Sequence, residues 1–391
     1  MTIGCGSDGG VEDDGGPGGA AGAGGAGGTG GAVSTPAAGV PADGCAEGFV
    51  HDGDAGCHAV LPTEPCALGT MAVPGEAECR PVSPCGSGTW GSIPVEADTV
   101  FVDGNYTGAS SDGTSARPYL TVTEGVSGAP DGAVVAIAEG SYFEELDLLD
   151  RSVILWGRCP ELVEIVGGSG NTTVLADNSS GGAIRDLAVR STGSALGIGV
   201  TNSAPFTIER VWIHNTSQRG VEVQDTLGPA TVVLSDSLIE QVSGIAVNAS
   251  GSDLTVSNCV IRDVRVSSMG RGRGVQLVAN GLSRATGVLQ GSLIEGVHDV
   301  AVSVLGSDLT VAATAVRDTL PYIDQKFGLG LMAVSGGAGL STLTLTQSTV
   351  ERTQKAALAG QGASITVDAT TFRVVVPERL NDTFGRGLQV Q

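Results

Sequence analysis

The hexapeptide Gly-Ser-Asp-Leu-Thr-Val occurs at 251–256 and again at 306–311, an offset of 55, and Gly-Ala-Ser-Ile-Thr-Val follows at 362–367, an offset of 56. Ser-Leu-Ile-Glu at 237–240 returns at 292–295, again 55 residues later. Self-similarity at a fixed period marks a repeat architecture, in which each unit buries its apolar face against its neighbours. Aligning the apolar anchors gives Val189, Ile213, Ile239, Ile261, Ile294, Val316, Val350 and Phe372, with steps of 24, 26, 22, 33, 22, 34 and 22. A 22-residue step is one coil of a parallel β-helix, with short strands joined by turns and Val, Ile and Leu stacked inside. Composition agrees, since aromatic residues make up only 4% and Gly numbers 62, which suits stacked coils better than a core built around large rings.

Two columns accompany the anchors. Two residues earlier stand Ser237, Cys259, Ser292, Thr314, Ser348 and Thr370, a small-residue ladder that period-two alternation places inside, so Cys259 is expected to be a buried free thiol. One residue after the anchors stand Arg190, His214, Glu240, Arg262, Glu295, Arg317, Glu351 and Arg373, facing outward. With parallel neighbours ~4.8 Å apart, each Glu is expected to lie between two Arg in a solvent-facing ladder that sets register.

The long steps carry insertions at every second coil, at 264–269, 319–326 and 374–383, each followed by a similar strand beginning at Gly272, Gly328 and Gly385. The loops are therefore expected at one corner, about 10 Å apart along the axis. They supply the candidate ligand-binding residues Arg265, Arg271, Arg273, Tyr322, Asp324, Lys326, Glu378 and Arg379, with Asn381 and Asp382 beside them. Asp263 and Asp318 hold equivalent positions two coils apart, near the carboxylate spacing of an inverting glycosidase, and with Lys326 they are the candidate catalytic groups. Repetition alone also generates such a pair.

Five cysteines, Cys45, Cys57, Cys66, Cys79 and Cys85, crowd a Gly/Pro-rich stretch, which reads as a small disulfide-stapled module over 45–95. Zinc is the competing reading, although no C-x-x-C pair is present and the nearby histidines are only His51 and His58. Five is odd, and Cys159 is the available outside partner, so a bridge to the first coils is expected. Residues 1–44, rich in Gly and Ala, cannot offset their ordering entropy and read as a disordered tether. The start, Met1 to Cys5 followed by Gly-Ser-Asp, matches the end of a bacterial lipoprotein signal without its basic and apolar regions. Cys5 is thus a lipidation candidate if the true start lies upstream, and otherwise an ordinary free thiol. At the other end the chain stops at Gln391 within a strand, so a longer product or self-association through an uncapped coil is expected.

The formal net charge of -22 repels nucleic acid and anionic lipid. It also disfavours acidic polysaccharide unless a divalent cation bridges the two. No apolar run of about 18 residues exists to span a membrane, which leaves Cys5 as the one route to membrane attachment.

The stretch from Phe101-Val-Asp-Gly-Asn-Tyr-Thr-Gly through Ser111-Asp-Gly-Thr and Arg117-Pro-Tyr-Leu-Thr-Val to Asp131-Gly-Ala-Val-Val-Ala-Ile-Ala-Glu-Gly-Ser-Tyr142 resembles the N-terminal cap and first coil of pectate-lyase-like β-helix proteins. It is similar in particular to uncharacterised bacterial surface lipoproteins whose β-helix begins with a domain of unknown function. The resemblance covers about 96–391 and implies an all-β, right-handed, single-stranded parallel β-helix with an N-terminal cap, including a capping helix over Leu120–Gly125. It also puts Asp103 and Asp112 in turns, where calcium is the candidate ion and solvated turn aspartates the alternative. Members include polysaccharide lyases and hydrolases, but neither a paired-aspartate motif nor a recognisable lyase Arg or Lys can be placed here, and fold does not carry function. Three readings remain open: a secreted or surface-anchored solenoid that binds an extended glycan or cell-envelope polymer on its loops, with no demonstrable catalysis; a polysaccharide lyase or glycoside hydrolase; and a ligand-free spacer or adhesin stalk.

Overall fold

From residue 100 to residue 390 successive coils pair strand on strand in one register. The computed structural model describes residues 2–3, 44–53, 56–267, 270–322, 327–377 and 385–390. Three sheets run along the axis, the first of twelve strands and the second and third of ten each, all parallel but for Thr2–Ile3 at the end of the first, and each coil contributes one strand to every sheet in turn. All eight predicted anchors pair in sequence down the second sheet, from Val189 opposite Ile213 to Val350 opposite Phe372. Leu155, Ile184, Ile208 and Leu234 fill the interior from the first sheet, and Ile198, Val221, Val247, Val275 and Val302 from the third. The result is one continuous apolar column rather than a set of separate cores.

The small-residue ladder is internal and has a hydrogen-bonding reason. The residue before each member turns the corner from the first sheet to the second with positive φ, as in Asp236 (49°), Asn258 (52°), Gly291 (57°) and Gln347 (47°). That turn points the next N–H along the axis, where the hydroxyl of the following coil accepts it: Val211 N donates to Ser237 Oγ at 3.0 Å, Cys259 N to Ser292 Oγ at 3.1 Å and Thr314 N to Ser348 Oγ at 3.1 Å. A larger side chain would leave a buried N–H unpaired. Cys259 is free and buried, and burial pushes its thiol up to about 12, so it is an inert core group.

At the N-terminal end Val100–Val102 opens the first sheet, and a helix covers the first coil. The helix spans Val122–Gly128 rather than Leu120–Gly125, because Thr121 is its cap: Thr121 Oγ1 accepts from Glu124 N and the Glu124 carboxylate accepts from Thr121 N. At the opposite end Thr2–Ile3 pairs antiparallel to Ser364–Asp368, giving that strand a partner.

All six expected cysteines are in disulfides, Cys45–Cys57, Cys66–Cys79 and Cys85–Cys159, which leaves none of them for zinc. The Cys-rich segment forms two small hairpins, Phe49–His51 with Cys57–Ala59 and Thr70–Met71 with Arg80–Pro81. It does not stand apart from the solenoid. It lies lengthwise on the outer face of the second sheet, from Cys85 on Cys159 in the second coil to Cys57 N on Thr371 Oγ1 in the last. Phe49, Met71, Val73 and Val82 share a buried cluster with Leu238, Val260, Leu293 and Ala315 of that sheet.

This contact corrects the expectation of a solvent-facing charge ladder. The charges alternate in register, but the middle of the column is buried, with Glu240 1% exposed, His214 6% and Arg262 9%, while Glu295, Arg317, Glu351 and Arg373 are half-buried. Arg262 holds Glu240 through Nη2 at 2.6 Å and Nε at 2.8 Å, and Nη2 also donates to Ala67 O and Thr70 O. Glu240 in turn accepts from Gly69 N at 2.9 Å and Trp212 Nε1 at 2.8 Å. Further along, Arg317 takes Glu295, Arg352 takes Glu351, and Arg373 reaches Asp52 of the covering segment. The column is therefore an internal interface whose carboxylates and guanidinium groups hold a second layer, as well as a register device. Arg262→Ala is expected to cost about 3–5 kcal/mol by leaving Glu240 buried and uncompensated, and to release the covering hairpins. Urea denaturation with hydrogen exchange at 66–73 checks this, and unchanged protection there would contradict it.

Candidate functional site

The expected loops do leave one corner. Between the second and third sheets the chain runs from Val264 to Arg273, Arg317 to Leu329 and Val376 to Arg386 in alternate coils, against Val297 to Val300 and Gln354 to Ala356 in the plain ones. Tyr322 lies so close to Gly270 that any side chain there would strike its hydroxyl, so the second loop packs on the first. Asp324, Lys326, Glu378, Arg379, Asn381 and Asp382 lie outside the described residues, as does Cys5.

Asp263 and Asp318 occupy a second corner column with positive φ, 50° and 55°, shared with Asn215 (52°), Gln241 (56°) and Gly296 (58°). Asp and Asn tolerate that conformation better than most residues, which accounts for aspartate there without chemistry. Each carboxylate is also held by an arginine: Arg265 grips Asp263 at 2.7 and 3.2 Å, and Arg352 grips Asp318 at 2.7 and 3.0 Å. Arg265 is therefore a corner brace. In the cap, Asp103 accepts from Asn105 N, while Asp112 accepts from Thr114 and pairs with Arg117. Among the described residues no group of three His, Cys, Asp or Glu is placed to hold a metal ion.

The structure brings together a different set. A cleft of about 720 Å³ opens at the loop-bearing corner, lined by Ser194, Ser217, Gln218, Arg219, Gly244, Ile245, Ser267 and Arg271. These come from four consecutive coils, so the cleft runs along the axis for about 14 Å. Among the described residues its lining offers hydroxyl, amide and guanidinium groups and no carboxylate.

Beside it, on the outward face of the third sheet, runs a polar chain whose middle, Glu222, Asn248 and Gln276, is buried while Arg219 reaches the cleft. Arg219 Nη1 donates to Glu222, Asn248 Nδ2 donates to Glu222 Oε1 at 3.0 Å, and Gln276 Nε2 donates to Asn248 Oδ1 at 2.7 Å. Arg273 Nη1 then donates to Gln276 Oε1 at 2.5 Å and Ser303 Oγ at 3.2 Å, while its Nε holds Asp299 at 3.0 Å. Arg273 is thus committed to this chain, and among the described loop arginines only Arg271 lines the cleft. Burial pushes the Glu222 carboxyl above the usual carboxylate range against the pull of Arg219 and Asn248, and burial likewise raises Asp299 against Arg273.

Sequence reasoning passed over Glu222, Asn248 and Gln276. The signal was present as one polar residue between two apolar ones in each strand, Val221-Glu222-Val223, Val247-Asn248-Ala249 and Val275-Gln276-Leu277. It was hidden because outward polar residues usually read as solvated surface.

Residues 163–319 match the family model described as the right handed beta helix region. With the three-sheet coil this sets the fold: the chain is a right-handed parallel β-helix protein. No curated protein matches it. Among solved structures it is similar to a pectin methylesterase from Aspergillus niger, at 12% identity over 75% of this chain and 90% of that one with a TM-score of 0.36. It is also similar to the A-module of a mannuronan C-5 epimerase from Azotobacter vinelandii, at 14% identity over 69% and 91% with a TM-score of 0.36. The catalytic domain of a GH87 α-1,3-glucanase gives 10% identity over 78% and 70% with a TM-score of 0.38. Likeness at this level concerns the fold alone.

Glu222→Gln gives a test of the buried chain. A carboxyl whose folded pKa is raised contributes its stability in full below the ordinary carboxylate range and loses it as pH rises through the folded value. The variant should match the parent in acid and melt progressively higher than it toward neutral pH. Melting curves across that window check this; a variant that loses ground as pH rises would show the Arg219 pair outweighing burial.

Proposed function

We propose that this protein is a secreted or surface-anchored β-helix that binds an extended glycan or another cell-envelope polymer along the loop-bearing corner. The cleft across four coils carries this reading: its length follows the axis, and its hydroxyl, amide and guanidinium donors suit a polymer rich in hydroxyl and carbonyl acceptors. The buried chain behind it supports the reading by holding Arg219 in place. Three disulfides fit an oxidising compartment, and no described helix is long and apolar enough to cross a membrane.

A second reading, a polysaccharide lyase or glycoside hydrolase, rests on Glu222. A carboxyl whose pKa burial raises, beside a cleft, is the kind of group that acts as a general acid. Glu222 itself is engaged by Arg219 and Asn248, and among the described residues no carboxylate lines the cleft to serve as its partner.

The full chain on a glycan array, together with isolated envelope polysaccharides, is expected to retain at least one extended polymer. Arg271→Ala and Gln218→Ala should each weaken retention about tenfold by removing one donor. Absence of binding to every polymer would overturn the reading in favour of a ligand-free spacer. New reducing ends or unsaturated products after incubation with neutral and acidic polysaccharides, with and without calcium, would establish the enzymatic reading instead.

A further inference from the structure

The double repeat lengthens its long coils at two corners, and only one of them carries the loops described above. Between the third and first sheets, plain coils turn within two residues, as at 251–252 and 306–307, whereas alternate coils use 225–230, 279–285 and 335–341. A leucine stands on each longer turn: Leu227, Leu282 and Leu340, exposed to 64%, 87% and 64%. The strands that follow are in register, with Asp253, Thr286, Asp308 and Thr342 stacked in successive coils. The three leucines therefore line one edge, about 10 Å apart for every two coils.

These turns are braced. Asn280 and Ser283 exchange backbone hydrogen bonds at 2.9 and 3.0 Å, as do Gly336 and Gly339 at 3.1 and 3.0 Å. Asn280 Nδ2 donates to Asp225 Oδ1 at 2.6 Å, which joins the Leu282 turn to the Leu227 turn. Arg284 donates to Ala338 O at 3.2 Å and Leu340 O at 2.6 Å while holding Asp308, which joins it to the third. Apolar side chains carried this far into solvent on braced turns contribute nothing to the core.

We propose that this leucine edge is a membrane-contact ridge that seats in the interfacial layer of a zwitterionic lipid surface. A stable pairing of two copies needs about 800 Å² and roughly 20–30 residues from each partner, which three separated side chains cannot supply. A convex row of tips suits a fluid surface that closes around each one, and the bracing means that little ordering entropy is lost on insertion. Charge selects the lipid. A chain of net charge -22 is repelled by anionic headgroups, and the cation beside the ridge, Arg284, is already matched by Asp308.

The full chain carrying Cys5→Ser, so that no acyl group at that position contributes, is floated with phosphatidylcholine vesicles and, separately, with vesicles containing phosphatidylglycerol. It should rise with the first and less with the second at low salt. The triple variant Leu227→Ser, Leu282→Ser, Leu340→Ser should lose roughly tenfold in partition at an unchanged melting temperature, because partition scales with the apolar area inserted. Leu68→Ser, exposed on the covering segment, should leave partition unchanged. The proposal is overturned if the chain does not float at millimolar phosphatidylcholine, if the triple variant floats like its parent, or if sedimentation velocity shows a dimer that the triple variant dissociates.

Discussion

Every feature of this molecule depends on the axial stacking of parallel strands, each coil hydrogen-bonded to the next in a register that does not slip. Stacking turns a sequence position into a column, so any residue type repeated at one position becomes a line on the structure. The apolar anchors become the core, the Ser/Thr ladder satisfies the corner N–H groups, and the Asp/Asn/Gly positions become left-handed corners. Insertions cannot enter a strand without breaking its column, so they collect at corners and emerge in rows.

The second sheet shows what happens when a charged column meets a second layer. Glu240 and Arg262 would contribute little as an exposed pair. Under the Cys-rich segment they lose water, and the structure compensates with Gly69 N, Trp212 Nε1, Ala67 O and Thr70 O. The disulfide from Cys85 to Cys159 fixes one end of that layer and the Thr371 and Arg373 contacts fix the other. With one face covered in this way, the loop-bearing corner with its cleft and the leucine edge remain as open surfaces.

How much was legible varies by residue. The anchors, the buried thiol of Cys259 and the alternation of charge were readable, because each is a period carried by the chain itself. Asp263 and Asp318 stood out for the same reason: a corner with positive φ favours aspartate and recurs with the coil. Arg273 looked like a loop ligand, yet it is the keystone of a buried polar chain, because the loop ends just before it and its side chain turns back along the sheet. Glu222 drew no notice, because its burial comes from neighbours in other coils.

The amino-acid sequence by itself determined the coil, its 22- and 33-residue alternation, the interior columns and the corner that carries the loops, since all of these follow from periodicity along one chain. Only the tertiary structure decided which outward columns face water. Whether Glu240 is solvated or sealed depends on where residues 66–73 come to rest, with Gly69 lying 171 residues away in sequence, and the raised pKa of Glu222 depends on the side chains packed around it. Desolvation is set by what covers a group, and no local pattern records its cover.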